Sequence, residues 1–413
     1  MEVDNTMSLK RTTTLMGAVI LALTASMPAA AQNLKGLQLF APAEVTPYGQ
    51  VKGPPAAEGF FFTWDNLRWS ISNPEIASIG LANGARIVDV GIGVPPDYSI
   101  EVGRNVLQTN GMDTGALEAF SVSGDRFEVG RIIDDHGWMV STYHLKPQAQ
   151  YLYGSDVGVI FNDPQGLLIK LMALAGDPPP DPPYTVLEQP VVFSDIVAKN
   201  SVETWSVELM YIKRSRQMHR GGFFEFFGGL RYMEFDELFW VEGSGPGVIA
   251  GEDGPGQLEY LDSLNDSNWN TQADNHIFGP QVGLRWFNKW GRWMISTEGR
   301  FLAGYNSQTI RQHGALGTKA AIEAPNNGYP ANGFNSRVHI DEFSPCGELR
   351  AELRWQATRA VSLRAGWTGV WINNIARPSN MINYEVPLMG INTGFNRQDV
   401  FINGVTLGVD INR

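Results

Sequence analysis

The stretch Asp134-Asp135-His136 carries residue types that could activate a water molecule for hydrolysis. A histidine beside a carboxylate can act as a general base. The stretch falls between two segments of alternating polarity, however, where Asp is an ordinary turn residue, so we interpret it as a tight turn. No nucleophile elbow is present, and Gly243-Ser244-Gly245-Pro246-Gly247 lacks the strand-to-helix context of a phosphate loop. The sequence therefore predicts no catalytic residue.

A second candidate is an acidic stretch, since no Lys or Arg occurs between Tyr232 and Leu284. Carboxylates are ligands that Ca²⁺ and Mg²⁺ prefer, so a loop here could bind divalent cations and bridge them to anionic surface glycans. The regular spacing of a calcium-binding loop is missing, which favours a solvated acidic loop without a resident metal or cofactor. The residues assigned to this loop are Glu242, Glu252, Asp253, Glu259, Asp262 and Asp266.

A third set of polar residues alternates with apolar and aromatic ones. Leu349, Ala351 and Leu353, for example, oppose Arg350 and Glu352, and a period of two indicates β-strands. Because both charge signs are interspersed, we expect ion pairs across strands. The charged set is Glu208, Glu225, Arg231, Arg285, Glu298, Arg300, Glu348, Arg350, Glu352, Arg354 and Arg364.

One of these ion pairs can be predicted in detail. Two alternating segments meet near Thr358, and a turn centred on this residue would place Glu352 directly opposite Arg364 on the same face.

The alternating pattern recurs in about ten segments separated by connections of alternating length. Short connections fall near Asp134, near Arg216, at 289–291 and at 357–359. The long ones span about 72–117, 147–199, 237–271, 306–343 and 373–398. The predicted strands are 58–71, 118–130, 137–146, 201–211, 224–232, 281–286, 293–303, 348–355, 361–371 and 400–413.

The N-terminal segment has the pattern of a secretory signal. Lys10 and Arg11 precede an apolar run from Leu15 to Leu23, which is shorter than the ~20 residues of a membrane-spanning helix. Small residues follow at Ala29, Ala30 and Ala31. We predict a signal peptide at 1–31, a periplasmic leader at 32–57 and one barrel domain at 58–413.

The composition narrows the function classes. A net charge of −12 argues against nucleic acid as a partner. Cys346 is the one cysteine, so no intramolecular disulfide can form. The 45 Gly and 12 Trp, with 18% charged residues, are typical of turns, strands and aromatic girdles rather than helices.

Together these patterns predict an all-β fold, namely a single antiparallel up-and-down transmembrane β-barrel of ten to twelve strands. Short periplasmic turns and long external loops characterise outer-membrane barrels. In lipid, every backbone group must be paired, which requires closure. We assign Trp69, Trp138, Trp290 and Tyr305 to interfacial girdles. Residues 156–163 or 72–117 could supply a further strand, and a secreted soluble β-sandwich is the alternative fold.

Several segments resemble an outer-membrane β-barrel family of the BBP type, found in planctomycetes. They are 278–286, 291–306, 348–353, 360–371 and 399–405. The resemblance covers roughly 58–413 and is more specific from residue 219 onward. It implies a barrel in the outer membrane and brings no catalytic residues.

The last strand closes the predicted barrel against 58–71. Its lipid-facing residues are Phe401, Val405, Leu407, Val409 and Ile411. Many such barrels have, at the position of Arg413, an aromatic residue that the barrel-assembly machinery recognises. The alternation places Arg413 on the lipid-facing side, and its long side chain can extend to the membrane interface. We expect Ile411 or Phe401 to substitute in that signal.

For function, a barrel of about ten strands crossed by paired Arg and Glu should leave a narrow lumen at best. Barrels of ~8 strands are filled by their own side chains, whereas 16 to 18 strands enclose a channel. We expect a structural or surface-display barrel embedded in outer-membrane lipid. A narrow passive channel is the alternative, and an outer-membrane hydrolase is a remote one.

Overall fold

The computed structural model describes residues 59–93, 100–162, 188–216, 218, 222–245, 247–250, 258–261, 265–315, 333–386 and 390–412. The predicted signal peptide (1–31), the predicted leader (32–57) and Arg413 lie outside the described residues.

Ten long antiparallel strands form one closed barrel. Each strand pairs with the next along the chain, and the last pairs with the first, so the ladder has no open edge. This confirms the predicted fold class. The strands are β1 Gly59–Ile71, β2 Phe120–Ile133, β3 His136–Asn162, β4 Glu188–Arg214, β5 Phe223–Ser244, β6 Ser267–Trp290, β7 Trp293–Ala315, β8 Gly333–Gln356, β9 Val361–Ile375 and β10 Gln398–Asn412.

The barrel closes between β1 and β10, as the sequence predicted. Trp64 on β1 lies opposite Val409 on β10 and opposite Phe127 on β2, so both edges of β1 are paired. Alternation along each strand then sends one set of side chains outward and the other inward.

The short connections share one end of the barrel, which we call the short-turn end. Asp134 has φ 53° in the turn between β2 and β3, and Gly291 has φ 57° between β6 and β7. Both values are in the left-handed region that Asp and Gly tolerate in tight turns. At the first turn, Lys213 Nζ on β4 lies 2.5 Å from Asp135 Oδ2. The stretch Asp134-Asp135-His136 is therefore a turn held to the adjacent strand.

Toward the opposite, long-loop end the strands continue far beyond the predicted bounds. β3 and β4 have 27 residues each, whereas about ten tilted residues cross a bilayer. Much of the predicted long connections 147–199, 237–271 and 306–343 is therefore strand. The stretch Asp156–Phe161 forms the end of β3 rather than an eleventh strand.

Short elements decorate the long-loop end. Paired two-residue strands occur at Ser78–Ile79 with Met112–Asp113 and at Ile382–Asn383 with Gly390–Ile391. Longer pairs are Gly84–Gly93 with Ile100–Thr109 and Gly247–Ala250 with Leu258–Leu261, while Glu385–Val386 pairs in parallel with β3. 3₁₀ turns lie at Thr114–Ala116, Pro378–Asn380 and Thr393–Phe395. Within the described part of the chain, no helix has the length and apolarity needed to span a membrane.

The outward face is apolar in a band bordered by aromatic residues. Trp290 and Trp293 are exposed near the short-turn end, as the girdle assignment of Trp290 requires. Toward the other end, Tyr232, Phe278, Tyr305 and Phe343 are registered partners on β5 to β8. The aromatic residues at this end, which we call the long-loop girdle, lie one on each of β4 to β10 and are Trp205, Tyr232, Phe278, Tyr305, Phe343, Trp371 and Phe401.

Candidate functional site in the barrel lumen

The inward face near the short-turn end is a layer of buried ion pairs. Asp65 on β1 accepts hydrogen bonds from Arg126 Nε at 2.8 Å and from Arg364 Nε at 2.6 Å. Arg350 Nη1 donates to Glu128 Oε1 at 2.7 Å. Asp65 and Arg126 are registered partners on neighbouring strands, whereas the pairs of Arg364 and Arg350 join β9 to β1 and β8 to β2 through the lumen.

Strands β4 to β8 are joined in the same way. Arg231 Nη1 on β5 donates to Glu348 Oε2 on β8 at 2.7 Å. Gln281 accepts from Arg231 and donates from Nε2 to Glu208 Oε2 at 2.7 Å. Arg300 binds Glu298 and Glu208. The contacts therefore form a continuous network that crosses the barrel.

This ion-pair layer holds as many carboxylates as guanidinium groups. A neutral layer sets up no net field that would select cations or anions. Its carboxylates among the described residues are Asp65, Glu128, Glu208, Glu225, Glu298, Glu348, Glu352 and Asp410, and its guanidinium groups are Arg126, Arg214, Arg231, Arg285, Arg300, Arg350, Arg354 and Arg364.

All eleven charged residues singled out from the sequence lie in this layer. The predicted charged set lacked five members of the layer, namely Asp65, Arg126, Glu128, Arg214 and Asp410. A signal for two of them was present, because Arg126 and Glu128 alternate with Phe127 and Val129.

The predicted register of the β8–β9 hairpin is wrong by two residues. Glu352 lies opposite Gly366, and Arg364 lies opposite Arg354. The turn is one residue further along because Thr358 Oγ1 accepts hydrogen bonds from the backbone N–H groups of Ala360 and Val361. Arg364 still reaches Glu352 diagonally, with Nη2 3.4 Å from Oε1.

Next to the ion-pair layer, toward the long-loop end, the lumen is filled by apolar side chains, which we call the hydrophobic layer. Trp69, assigned from the sequence to a girdle, points inward here and is 1% exposed. Its ring centroid lies 5.6 Å from that of Tyr143, and its Nε1 donates to Thr406 Oγ1 at 3.3 Å. Every barrel strand contributes to this layer, through Leu67, Trp69, Ile71, Phe120, Val122, Tyr143, Leu145, Val202, Met233, Phe235, Ile277, Leu302, Cys346, Val370, Ile372, Ile375, Val400 and Ile402.

The connection from β9 to β10 folds inward above the hydrophobic layer, and we call its described residues, 376–386 and 390–397, the cap. Arg377 donates to both carboxylate oxygens of Glu237 on β5 and, through Nη1, to the carbonyl of Ser72 just after β1 at 2.9 Å. Asn275 on β6 accepts from the N–H of Ala376 and donates to its carbonyl, each at 2.9 Å. Because β1, β5 and β6 are not neighbours of β9 in the barrel wall, the cap must cross the lumen to reach them.

The predicted acidic loop is described only in part, and two of its residues belong to strands. Glu242 lies within β5, where it pairs with Asn268, and Asp266 lies in the turn before β6 with φ 62°. Glu259 belongs to the short strand Leu258–Leu261, whereas Glu252, Asp253 and Asp262 lie outside the described residues. No cluster of three or more His, Cys, Asp or Glu suited to a metal ion occurs among the residues that the structure describes.

The last strand presents its predicted apolar residues outward. Phe401, Val405, Leu407 and Ile411 are exposed on the barrel surface, and Val409 is half-buried there.

Known proteins offer only distant likenesses to this chain in two of the comparisons. No curated protein matches the chain. Among solved structures, the toluene transporter TbuX of Ralstonia pickettii is 10% identical, with 86% of this chain and 90% of that chain covered and a TM-score of 0.26. The toluene transporter TodX of P. putida is 7% identical, with 87% and 91% covered and a TM-score of 0.16. Likenesses this low carry no argument about the fold or the function of this chain.

A family model gives the decisive match. The family described as Putative beta barrel porin-7 (BBP7) matches residues 193–412, which is more than half of the chain and includes β5 to β10. The closed antiparallel barrel with an apolar band agrees with a place in the outer membrane. The chain belongs to the BBP7 family of outer-membrane β-barrels.

Proposed function

We propose that the protein is a structural barrel that is sealed in its resting state and holds its long-loop end at the cell surface. The single observation that supports this proposal is the hydrophobic layer, to which all ten strands contribute. Short turns face the periplasm in outer-membrane barrels, so the long-loop end would face the outside of the cell.

The hydrophobic layer opposes the passage of polar solutes. An ion that crosses it must shed water without gaining a polar partner, which is costly in an apolar medium. Phe120, Tyr143, Leu145 and Ile402 are all at most 3% exposed, which is typical of a packed core. The ion-pair layer below adds a second barrier, since its charges already satisfy each other.

The length of the strands supports a display role. β3 and β4 extend well beyond the apolar band and carry the hairpin Gly247–Ala250 with Leu258–Leu261 at their side, where Val248 lies opposite Val192 of β4. A rigid sheet that continues past the membrane would hold this hairpin away from the lipid surface. We propose no catalytic activity and no cofactor.

Conductance of the purified protein in planar bilayers tests the sealed lumen. We expect no stable single-channel steps from the wild-type protein under conditions in which a large porin conducts. Stable steps from the wild type would overturn the proposal. For display, deletion of residues 247–261 should weaken attachment of cells to a glycan-coated surface while the barrel still assembles. Unchanged attachment would refute that role.

A narrow passive channel is the second candidate, and the cap favours it. Apart from the short strand pairings Ile382–Asn383 with Gly390–Ile391 and Glu385–Val386 with β3, the cap is held by side chains such as Arg377, Asn275 and Gln308. A segment held in this way could withdraw without breaking the barrel ladder. If an Arg377→Ala protein conducts and the wild type does not, the channel with a movable cap replaces the sealed structural barrel.

A further inference from the structure

The outward face of β1 to β3 is polar in the half of the band nearer the long-loop end. Asn66 on β1 lies opposite Asp125 on β2, which lies opposite His144 on β3. On the next outward position Arg68 lies opposite Ser123. A continuous polar patch therefore covers three neighbouring strands.

This patch interrupts the apolar surface of the barrel. The long-loop girdle has one member on each of β4 to β10, whereas the outward positions of β1 at that end are Arg68 and Ser70 because Trp69 points inward. The patch borders lipid-facing residues directly. Arg68 lies opposite Val405, and Asn66 lies opposite Leu407, which are 52% and 55% exposed. The polar residues are thus at membrane depth.

Contact of this patch with lipid would be unfavourable. A basic residue on the lipid face of such a barrel is destabilising, and the cost grows with its depth in the bilayer. Arg68 is exposed, and no ion pair of Arg68 occurs within the described ranges. Asp125 carries a negative charge two positions from Ser123, and its Oδ1 accepts a hydrogen bond from Trp64 Nε1 at 3.2 Å.

We propose that a second copy of this chain covers the patch, related to the first by a two-fold axis normal to the membrane. Two copies inserted in the same direction can be related by such an axis, which preserves depth. Arg68 and Asp125 lie on adjacent strands, one outward position apart in the register. The rotation therefore places Arg68 of each copy against the partner's Asp125, which neutralises both charges.

The charges of the patch favour a second copy of the chain over an anionic lipid as the molecule that covers it. An anionic lipid headgroup would bind Arg68 but would be repelled by Asp125 and by Glu203, whose Oε1 lies 3.0 Å from His144 Nε2. A second copy accommodates both signs, because the patch is complementary to itself. The proposal does not depend on whether the lumen conducts.

Cysteine cross-linking in isolated outer membranes tests the interface. Ser123→Cys lies near the proposed axis, and Leu349→Cys lies on β8, away from the patch. After mild oxidation we expect a disulfide-linked dimer from Ser123→Cys and none from Leu349→Cys. In the Ser123→Cys background, Arg68→Asp and Asp125→Arg should each lower the dimer fraction at least tenfold, and the double exchange should restore it.

Asp399→Arg is the matched control. Asp399 also accepts a hydrogen bond from a tryptophan, Trp371 Nε1, but lies above the apolar band on β10. It should leave the dimer fraction unchanged. Equal cross-linking from Ser123→Cys and Leu349→Cys would overturn the proposal, as would a dimer that persists in Arg68→Asp. A monomeric protein that forms dimers only after residues 32–57 are deleted would also overturn it, because the patch would then be covered by that segment. A monomer that keeps a bound phosphate-bearing lipid until Arg68 is replaced would assign the patch to lipid instead.

Discussion

Arg377, at the start of the cap, donates hydrogen bonds from Nε and Nη2 to both carboxylate oxygens of Glu237 on β5, at 2.6 and 3.0 Å. Both side chains are fully buried, and the third contact of Arg377, to the Ser72 carbonyl, reaches the end of β1. One guanidinium group therefore ties the cap to two distant parts of the wall.

Arg377→Met should lower the free energy of unfolding by about 3–5 kcal/mol, because Glu237 would remain buried without its charge partner. The double variant Glu237→Leu with Arg377→Met should recover most of this loss, since no unpaired charge remains. Thermal unfolding in detergent, followed by heat-modifiable gel mobility, measures both. Equal destabilisation of the single and double variants would show that the pair acts through packing alone.

Trp69→Ala should lower the free energy of unfolding by about 3–5 kcal/mol, because it removes a large buried side chain from the hydrophobic layer. Trp371→Ala is the comparison, since Trp371 is 41% exposed on the outer surface and its removal leaves no internal cavity. Unfolding midpoints in a guanidinium series give the difference. Similar losses for the two variants would contradict a packed lumen.

The sequence alone predicted the number of strands, the closure of β1 on β10 and the inward face of the charged set. Alternation with a period of two carries this information locally in each strand. The hydrophobic layer could not be predicted in this way. On β1, Phe62 and Trp64 point to lipid while Leu67 and Trp69 point inward, so both faces contain apolar residues and periodicity cannot assign them.

The cap and the strand ends show a second limit of the sequence. Arg377 and Glu237 are 140 residues apart, and the contact depends on how the chain crosses the lumen. The extension of β3 and β4 was missed because their outer halves lie outside the apolar band, where lipid does not impose alternation. The prediction of the β8–β9 register was wrong because the position of the turn depends on the hydrogen bonds that Thr358 accepts. These bonds are set by local turn geometry and not by the alternation of the strands.

Asp65→Asn should destabilise the barrel by about 3–5 kcal/mol, because Arg126 and Arg364 would lose the carboxylate that lies between them. Asp399→Asn serves as the control, as Asp399 is exposed at the surface. We expect a change within about 0.5 kcal/mol for the control. Equal unfolding midpoints for Asp65→Asn and the wild type would contradict a strongly coupled ion-pair layer.

The turn between β2 and β3 should respond to acid. The hydrogen bond from Lys213, with a smaller contribution from His136, lowers the pKa of Asp135 to about 2. Because the folded-state pKa lies below the unfolded value of about 3.9, the stabilisation from this contact is present above pH 4. It is lost as the pH falls through about 2. Since Asp135 is exposed, the effect on overall stability should be small.

The measurement is the carboxyl ¹³C titration of Asp135 in the wild type and in Lys213→Met. Without the ammonium group, the pKa of Asp135 should rise toward the ordinary aspartate value, because the largest cause of its depression is gone. Lys289→Met, at the β6–β7 hairpin, removes a lysine that does not contact Asp135 and should leave the titration unchanged. An unchanged Asp135 pKa in Lys213→Met would show that β4 does not hold this turn.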